Sequence, residues 1–384
     1  MTRATGAGFY ERLGVRRVIN GESWVTRLGG SIMPEPVVMA MEEASRSFVD
    51  MHELNRKAGD VIARLTGAEA GLVTAGSAAG MLLEAAACMT GTDPAKVHRL
   101  PDTTGMKNEI VIHRVHRVGY DQAFRVAGAR LVEIGTPGAT HEWEFESALN
   151  ENTAAVAYII ANKPSGAIPL RRAVEIAHAH GVPVVVDAAA MLPPPENLTR
   201  YVSMGADMVS FSGGKGVLGP QSTGILCGRA DLIAAASLNG APNAGVGRPA
   251  KVCKEEIAGL ITALELFVDT DHQAVAAGWR AKSQHIVNAL QGIPGVRAVL
   301  LEVTPGTDHW ESTTDRAFFT FDESWRGPRE EEVIRLLAEG DPAVRLRSAG
   351  PDGGIAVHPC NLRDGEEEII ARRLREVLKP ARRR

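Results

Sequence analysis

One lysine in this chain sits where covalent chemistry is plausible. It lies in Val209-Ser-Phe-Ser-Gly-Gly-Lys215-Gly-Val-Leu-Gly-Pro, a glycine loop between two apolar runs. Three roles are open to it: cradling a phosphate, forming a Schiff base with pyridoxal phosphate, or standing in a surface loop. The nucleotide-hydrolase phosphate loop needs Gly, four residues, then Gly-Lys-Ser/Thr. Here Gly216 follows the lysine and Val209 holds the first glycine's place, so that reading fails twice. Asp187 adds a second piece. It ends the apolar run Pro183-Val-Val-Val. A carboxylate at the end of a buried strand needs a cationic partner, which a protonated pyridine nitrogen supplies. Capping a helix is the other use of such an aspartate.

Two further pieces complete a possible site. In Gly71-Leu-Val-Thr-Ala-Gly76-Ser77-Ala78, a strand turns through small residues into a helix. Bare backbone N–H groups at a helix start attract a phosphate, although such a turn also serves plain packing. Ser212, just before Lys215, could give a hydroxyl to the same phosphate. In Ile112-His113-Arg114-Val115-His116, either imidazole could stack on a pyridine ring. The HxxH spacing finds no third ligand, so no metal is expected. His178 and His180 read as a solvated helix C-terminus.

The elements that must position these residues alternate. Helical patterns cover Pro36–Val49, Gly59–Leu65 (ended by Gly67), Ser77–Cys88, Tyr120–Ala127 and Arg171–His180. Short apolar runs cover Glu109–His113, Ala129–Ile134, Ala154–Ile160, Pro183–Val186, Met208–Phe211 and Gly224–Cys227. Apolar strands separated by helices predict a parallel sheet in an α/β domain. After Lys254 come a helix over Glu255–Phe267, a hairpin of Val344–Ser348 with Ile355–His358, and a closing helix over Glu366–Leu378. The expected organisation is an N-terminal arm (1–30), a large cofactor-binding α/β domain (31–250) and a small α+β domain (251–384).

In chain order the pieces run phosphate turn, stacking residue, aspartate, lysine. With Leu65-Thr-Gly-Ala-Glu-Ala, His116-Arg-Val-Gly-Tyr-Asp, Ser212-Gly-Gly-Lys and Gly247-Arg-Pro-Ala-Lys, the chain resembles fold type I pyridoxal-phosphate enzymes. The resemblance is to the selenocysteine-synthase-like branch of the class V aminotransferase fold, and within it to the D-glucosaminate-6-phosphate ammonia-lyase group. It runs from Val18 to Leu378. It implies that Lys215 carries the cofactor as a Schiff base and shuttles protons, and that Asp187 pairs with the ring nitrogen. It implies that His116 (or His113) stacks on the ring, and that Gly76, Ser77, Ala78 and Ser212 hold the phosphate. Arg248 looks suited to an anionic group. Asn162-Lys-Pro-Ser-Gly166 is similar to the loop that approaches the cofactor's phenolic oxygen, with altered spacing. A homodimer or larger homo-oligomer is implied as well.

The substrate carboxylate needs an arginine fork. Period two puts Arg345 and Arg347 on one face of their strand, which could equally be a solvent face. Arg27 is a third candidate. The expected reaction is loss of ammonia by β-elimination from a hydroxylated or sugar-derived amino acid, giving a 2-oxo acid. Racemisation, transamination or a non-enzymatic binding role are the alternatives. Composition narrows the class. There are 42 Lys+Arg against 46 Asp+Glu, a net charge of −4, which disfavours a nucleic-acid partner. A transfer-RNA substrate is not expected, because the core begins near residue 18 without a preceding domain. No apolar run approaches the roughly 20 residues of a membrane span. No signal peptide opens the chain, and the four cysteines form no CxxC pair, so the expected compartment is the cytoplasm.

Overall fold

Runs of valine, isoleucine and alanine without polar alternation form strands covered on both faces. The computed structural model describes residues 8–160, 166–302, 314–349 and 353–379, and divides into two units. Strand β1 (Val18–Asn20) belongs to the small unit. The large unit, Gly29–Thr270, holds β2 (Ala70–Thr74), β3 (Glu109–His113), β4 (Arg130–Ile134), β5 (Thr153–Ile159), β6 (Val184–Asp187), β7 (Met208–Ser212) and β8 (Gly224–Gly228). They form one sheet in the order β2-β8-β7-β6-β5-β3-β4. All neighbours are parallel except the two pairs that β8 makes.

Side chains alternate across this sheet. Val111, Val156, Val184, Val186 and Val209 enter one core. Ile110, Ile112, Ala155, Ala157, Val185 and Met208 enter the other, which the helix Gly76–Thr90 fills with Met81, Leu83 and Ala85–Ala87. By the same alternation Asp187 and Ser210 face that helix. Small residues let it lie close: a Cβ on Gly80 would come within 3.0 Å of the Ser210 side chain.

Helix boundaries differ most from the sequence pattern between Glu35 and Thr66. The pattern predicts a helix through Val49, but the helix Glu35–Ser45 stops earlier. Asp50 restarts the chain by accepting the His52 and Glu53 N–H groups, and the helix Met51–Thr66 runs to Gly67 in the left-handed region. The helix Lys254–Asp269 packs its apolar face, Ile257, Leu260, Leu264 and Phe267, into the large unit's core. That unit therefore runs past residue 250 to Thr270.

The small unit joins the segment through Leu28 to the chain from Asp271 onward. Its sheet contains β9 (Val296–Leu301) and β10 (Arg316–Phe321). Next come β11 (Ala343–Arg345), β12 (Arg347–Ser348) and β13 (Ile355–Val357). The antiparallel order is β12-β13-β10-β9, while β11 pairs in parallel with β1. The single strand expected over Val344–Ser348 is thus two strands in two sheets. Buried Leu346 marks the switch, and only Arg347 and Ser348 pair with β13.

Candidate active site

Strands β2, β3, β5, β6 and β7 all end at one edge of the large sheet, where open α/β folds bind ligands. Thr74, Gly224 and Ser212 are register partners across that edge. The helix Gly76–Thr90 begins there, with Gly76 at a φ of 73° and Ser77 and Ala78 in its first turn. A side chain on Gly224 would lie 2.4 Å from the Gly76 carbonyl carbon, so only glycine lets the turn sit beside Ser212. The N–H groups of Gly76, Ser77 and Ala78 at this helix start, together with the Ser212 hydroxyl, could cradle an anion.

The lysine loop is held by backbone hydrogen bonds. Gly213 N–H donates to Thr223 O at 2.8 Å, Leu218 N–H to Lys215 O at 2.9 Å and Gly219 N–H to Gly213 O at 2.8 Å. Leu218 takes a positive φ of 61°, rare for a side-chain-bearing residue. A Cβ on Gly216 would meet Leu192 O at 2.3 Å, and one on Gly214 would meet the Gln221 backbone at 2.3 Å. Lys215 is thereby fixed in place. Burial draws its amine below the usual lysine range, and the charge of Asp187 works against that fall.

Asp187 ends β6 and is buried. Its Oδ1 accepts the Ala189 N–H at 2.9 Å. Burial raises its carboxyl, while that hydrogen bond and Lys215 pull it down. His116 lies in the turn after β3, buried, with its ring 4.4 Å from Tyr158 in an edge-on contact. Burial, with His113 beside it, pushes His116 down to about 3, so it is neutral. His113 packs behind it at 5.0 Å and accepts the Ile168 N–H through Nε2 at 3.4 Å. That bond and the packing on Phe145 give His113 a supporting role. Among the described residues, neither imidazole Nδ1 has a hydrogen-bond partner.

These groups match one kind of ligand. A buried carboxylate suits a ring nitrogen cation, a glycine-held lysine suits a carbonyl, and a helix start suits a phosphate. Pyridoxal phosphate carries all three on one flat ring. Among the described residues, no group of three or more His, Cys, Asp or Glu is placed to hold a metal ion.

The three arginines fall in different places. Arg248 is in the large unit, on a cavity of about 390 Å³ shared with Thr74, Lys251 and Lys254. Arg27 and Arg347 are in the small unit, on a cavity of about 560 Å³ with Arg345. There the buried Glu22 forms an ion pair with Arg27 and lies 3.8 Å from Arg345. Local patterns did not reveal Glu22 beside the small unit's arginines, nor Tyr158 against His116 and the buried Glu84 in the large unit. Glu84 had one faint signal, a single acid in an Ala- and Leu-rich helix. The loop Asn162-Lys-Pro-Ser lies outside the described residues.

The family described as SelA: L-seryl-tRNA selenium transferase matches residues 18–277. A 5'-C-glycyluridine monooxygenase-decarboxylase of Streptomyces sp is 35% identical, covering 96% of this chain and 92% of its own. A D-glucosaminate-6-phosphate ammonia lyase of Salmonella typhimurium is 34% identical, covering 97% and 98%. A solved structure of D-glucosaminate-6-phosphate ammonia-lyase superposes with a TM-score of 0.84 at 32% identity, over 97% of this chain and 98% of that one.

Proposed function

Because the chain belongs to the L-seryl-tRNA selenium transferase family, we propose that it is a pyridoxal-phosphate-dependent ammonia-lyase acting on a sugar-derived β-hydroxy amino acid. Its fold is fold type I and its cofactor is pyridoxal 5'-phosphate. The observation that carries the reading is the pair Lys215 and buried Asp187 at the strand edge that also holds the helix start of Gly76. The likeness to an ammonia lyase over nearly both lengths supports this reaction.

Bound cofactor supplies an electron sink for a carbanion at the substrate's α-carbon. The chain's residues do the rest. Asp187 would hold the ring nitrogen's proton, and the Gly76–Ala78 N–H groups with Ser77 and Ser212 would hold the phosphate. His116 would stack on the ring and exclude water there. Lys215 Nζ, made less basic by burial, takes the α-proton and returns a proton to the departing β-hydroxyl. The C–O bond breaks and water leaves; rehydration then releases ammonia and the 2-oxo acid. Arg347, Arg27 and Arg248 are the candidate anion partners for the substrate's carboxylate and any phosphate.

A second reading has its own support. The Streptomyces relative, equally similar, is named for oxygenation and decarboxylation. Both named compounds are amino acids on a sugar skeleton, so the substrate class survives either outcome. The test is to mix the loaded protein with D-glucosaminate 6-phosphate and measure absorption, ammonia and 2-oxo acid. A shifted visible band with both products is expected, and none with Lys215→Ala. Oxygen uptake with carbon dioxide release would favour the second reading. Turnover retained by Lys215→Ala would sink both. We place the enzyme in the cytoplasm, in keeping with its four unpaired cysteines. It works as a homodimer or larger, which the exposed Ile32, Val38, Met39, Phe48 and Val49 support.

A further inference from the structure

Glu84 is 0% exposed, and neither carboxyl oxygen has a hydrogen-bond partner among the described residues. A buried unpaired carboxyl costs several kcal/mol when charged, so its presence needs a reason. Its position supplies one. Glu84 lies one turn beyond Gly80, the residue that rides on Ser210. Ser210 is the register partner of Asp187, and both face this helix. The same helix begins at the phosphate turn.

We propose that Glu84 is a positioning residue for the cofactor ring: a buried carboxylic acid whose proton is available to the register neighbours Asp187 and Ser210 and which holds Asp187 as the charged partner of the ring nitrogen. The proposal rests on the cofactor reading above. Burial and the neighbouring Asp187 charge both raise the Glu84 carboxyl far above the usual range, and the Ser210 hydroxyl softens this without closing a hydrogen bond. The other titratable groups around Glu84 are Cys88 on its own helix and Cys227 on β8, and burial keeps both thiols protonated. Among the described residues the cation that acts here is Lys215, and it acts on Asp187. One negative charge, on Asp187, is therefore the arrangement the site supports. A neutral acid behind it donates without competing for the ring proton, whereas a second carboxylate would repel.

The experiment compares wild type with Glu84→Gln, which keeps a donor and cannot ionise, and Glu84→Met, which keeps neither property. Infrared spectra of the cofactor-free protein at neutral pH should show a protonated-carboxyl band that Glu84→Gln removes. Glu84→Met should weaken pyridoxal phosphate binding by about tenfold, because it removes the buried donor behind Asp187. It should also move the pH midpoint of the visible band, and Glu84→Gln should restore both values. Absence of the infrared band overturns the proposal, as does a folded Glu84→Gln as impaired as Glu84→Met. If Glu84→Met does not fold, the band and the Glu84→Gln affinity still decide. A wild type that takes up no pyridoxal phosphate sinks the cofactor reading and this role with it. Uptake that Glu84→Met leaves unchanged sinks this role alone.

Discussion

Lys215 and Asp187 are each pushed toward neutrality by burial, and each pulls the other back toward charge. Removing one member leaves the other's charge uncompensated in a dry site. Asp187→Asn keeps the shape and deletes the charge. It should lower kcat by on the order of a hundredfold, roughly 3 kcal/mol, because the ring nitrogen loses its counter-ion. Steady-state rates at saturating substrate, on protein shown to be cofactor-loaded, check this. The two histidines give a pH signature. Burial holds His113 at about 4 and His116 at about 3, below their ordinary 6.5. A depressed value means stability is fully present above pH 6.5 and is lost as pH falls toward these values. Melting temperatures of the cofactor-free protein should therefore drop through that window, and His113→Gln should flatten the drop. An unchanged slope would count against the buried neutral imidazole.

At the scale of elements, close backbone approach does most of the positioning. A Cβ at Gly224 would fall 2.4 Å from the Gly76 carbonyl carbon, where no flexible side chain can give way. Gly224→Ala should cost about 1–3 kcal/mol and weaken phosphate holding by displacing the helix start. Gly278, inside the helix His272–Leu290 with open space around it, is the control. Gly278→Ala should raise stability by up to about 1 kcal/mol. Thermal melts of both variants decide the contrast. The same distinction explains what could be read from the chain. Strand β3 stands where Glu109–His113 predicts it, because a strand buried on both faces writes itself as a continuous apolar run. The Gly76 turn and the Lys215 loop were legible for a similar reason, being local patterns of small residues. The division of Val344–Ser348 between two sheets was not. The partner of Val344 is Ile19, more than three hundred residues earlier, and no local pattern encodes it. Glu84 and Glu22 escaped for the same reason. Glu84 lies behind Asp187 and Ser210, and Glu22 pairs with remote Arg345 as well as with nearby Arg27, and no local pattern announces either arrangement.

Across the whole molecule, the small net charge of −4 leaves association governed by apolar surface rather than by a strong field of one sign. In the large unit, part of that surface lies in one stretch of chain, with Tyr120 and Trp143 exposed elsewhere. Ile32, Val38, Met39, Phe48 and Val49 are all exposed, and Phe48 is completely so, at 103%. Scattered exposed apolar residues are ordinary; five within so short a segment are the candidate for the proposed interface between copies. A phenylalanine left in water forgoes on the order of 2 kcal/mol of burial, which a second copy of the chain would recover. Light scattering should thus give a mass that is a multiple of 40.9 kDa. The double variant Met39→Glu with Phe48→Glu puts two like charges into the covered face and should return the mass to a single chain. Both residues are exposed in the isolated chain, so the variant should keep its melting behaviour under conditions where the wild type is also dissociated. A wild type that runs as a single chain at high concentration would remove the oligomer from the reading, and an unchanged mass for the double variant would move the interface elsewhere.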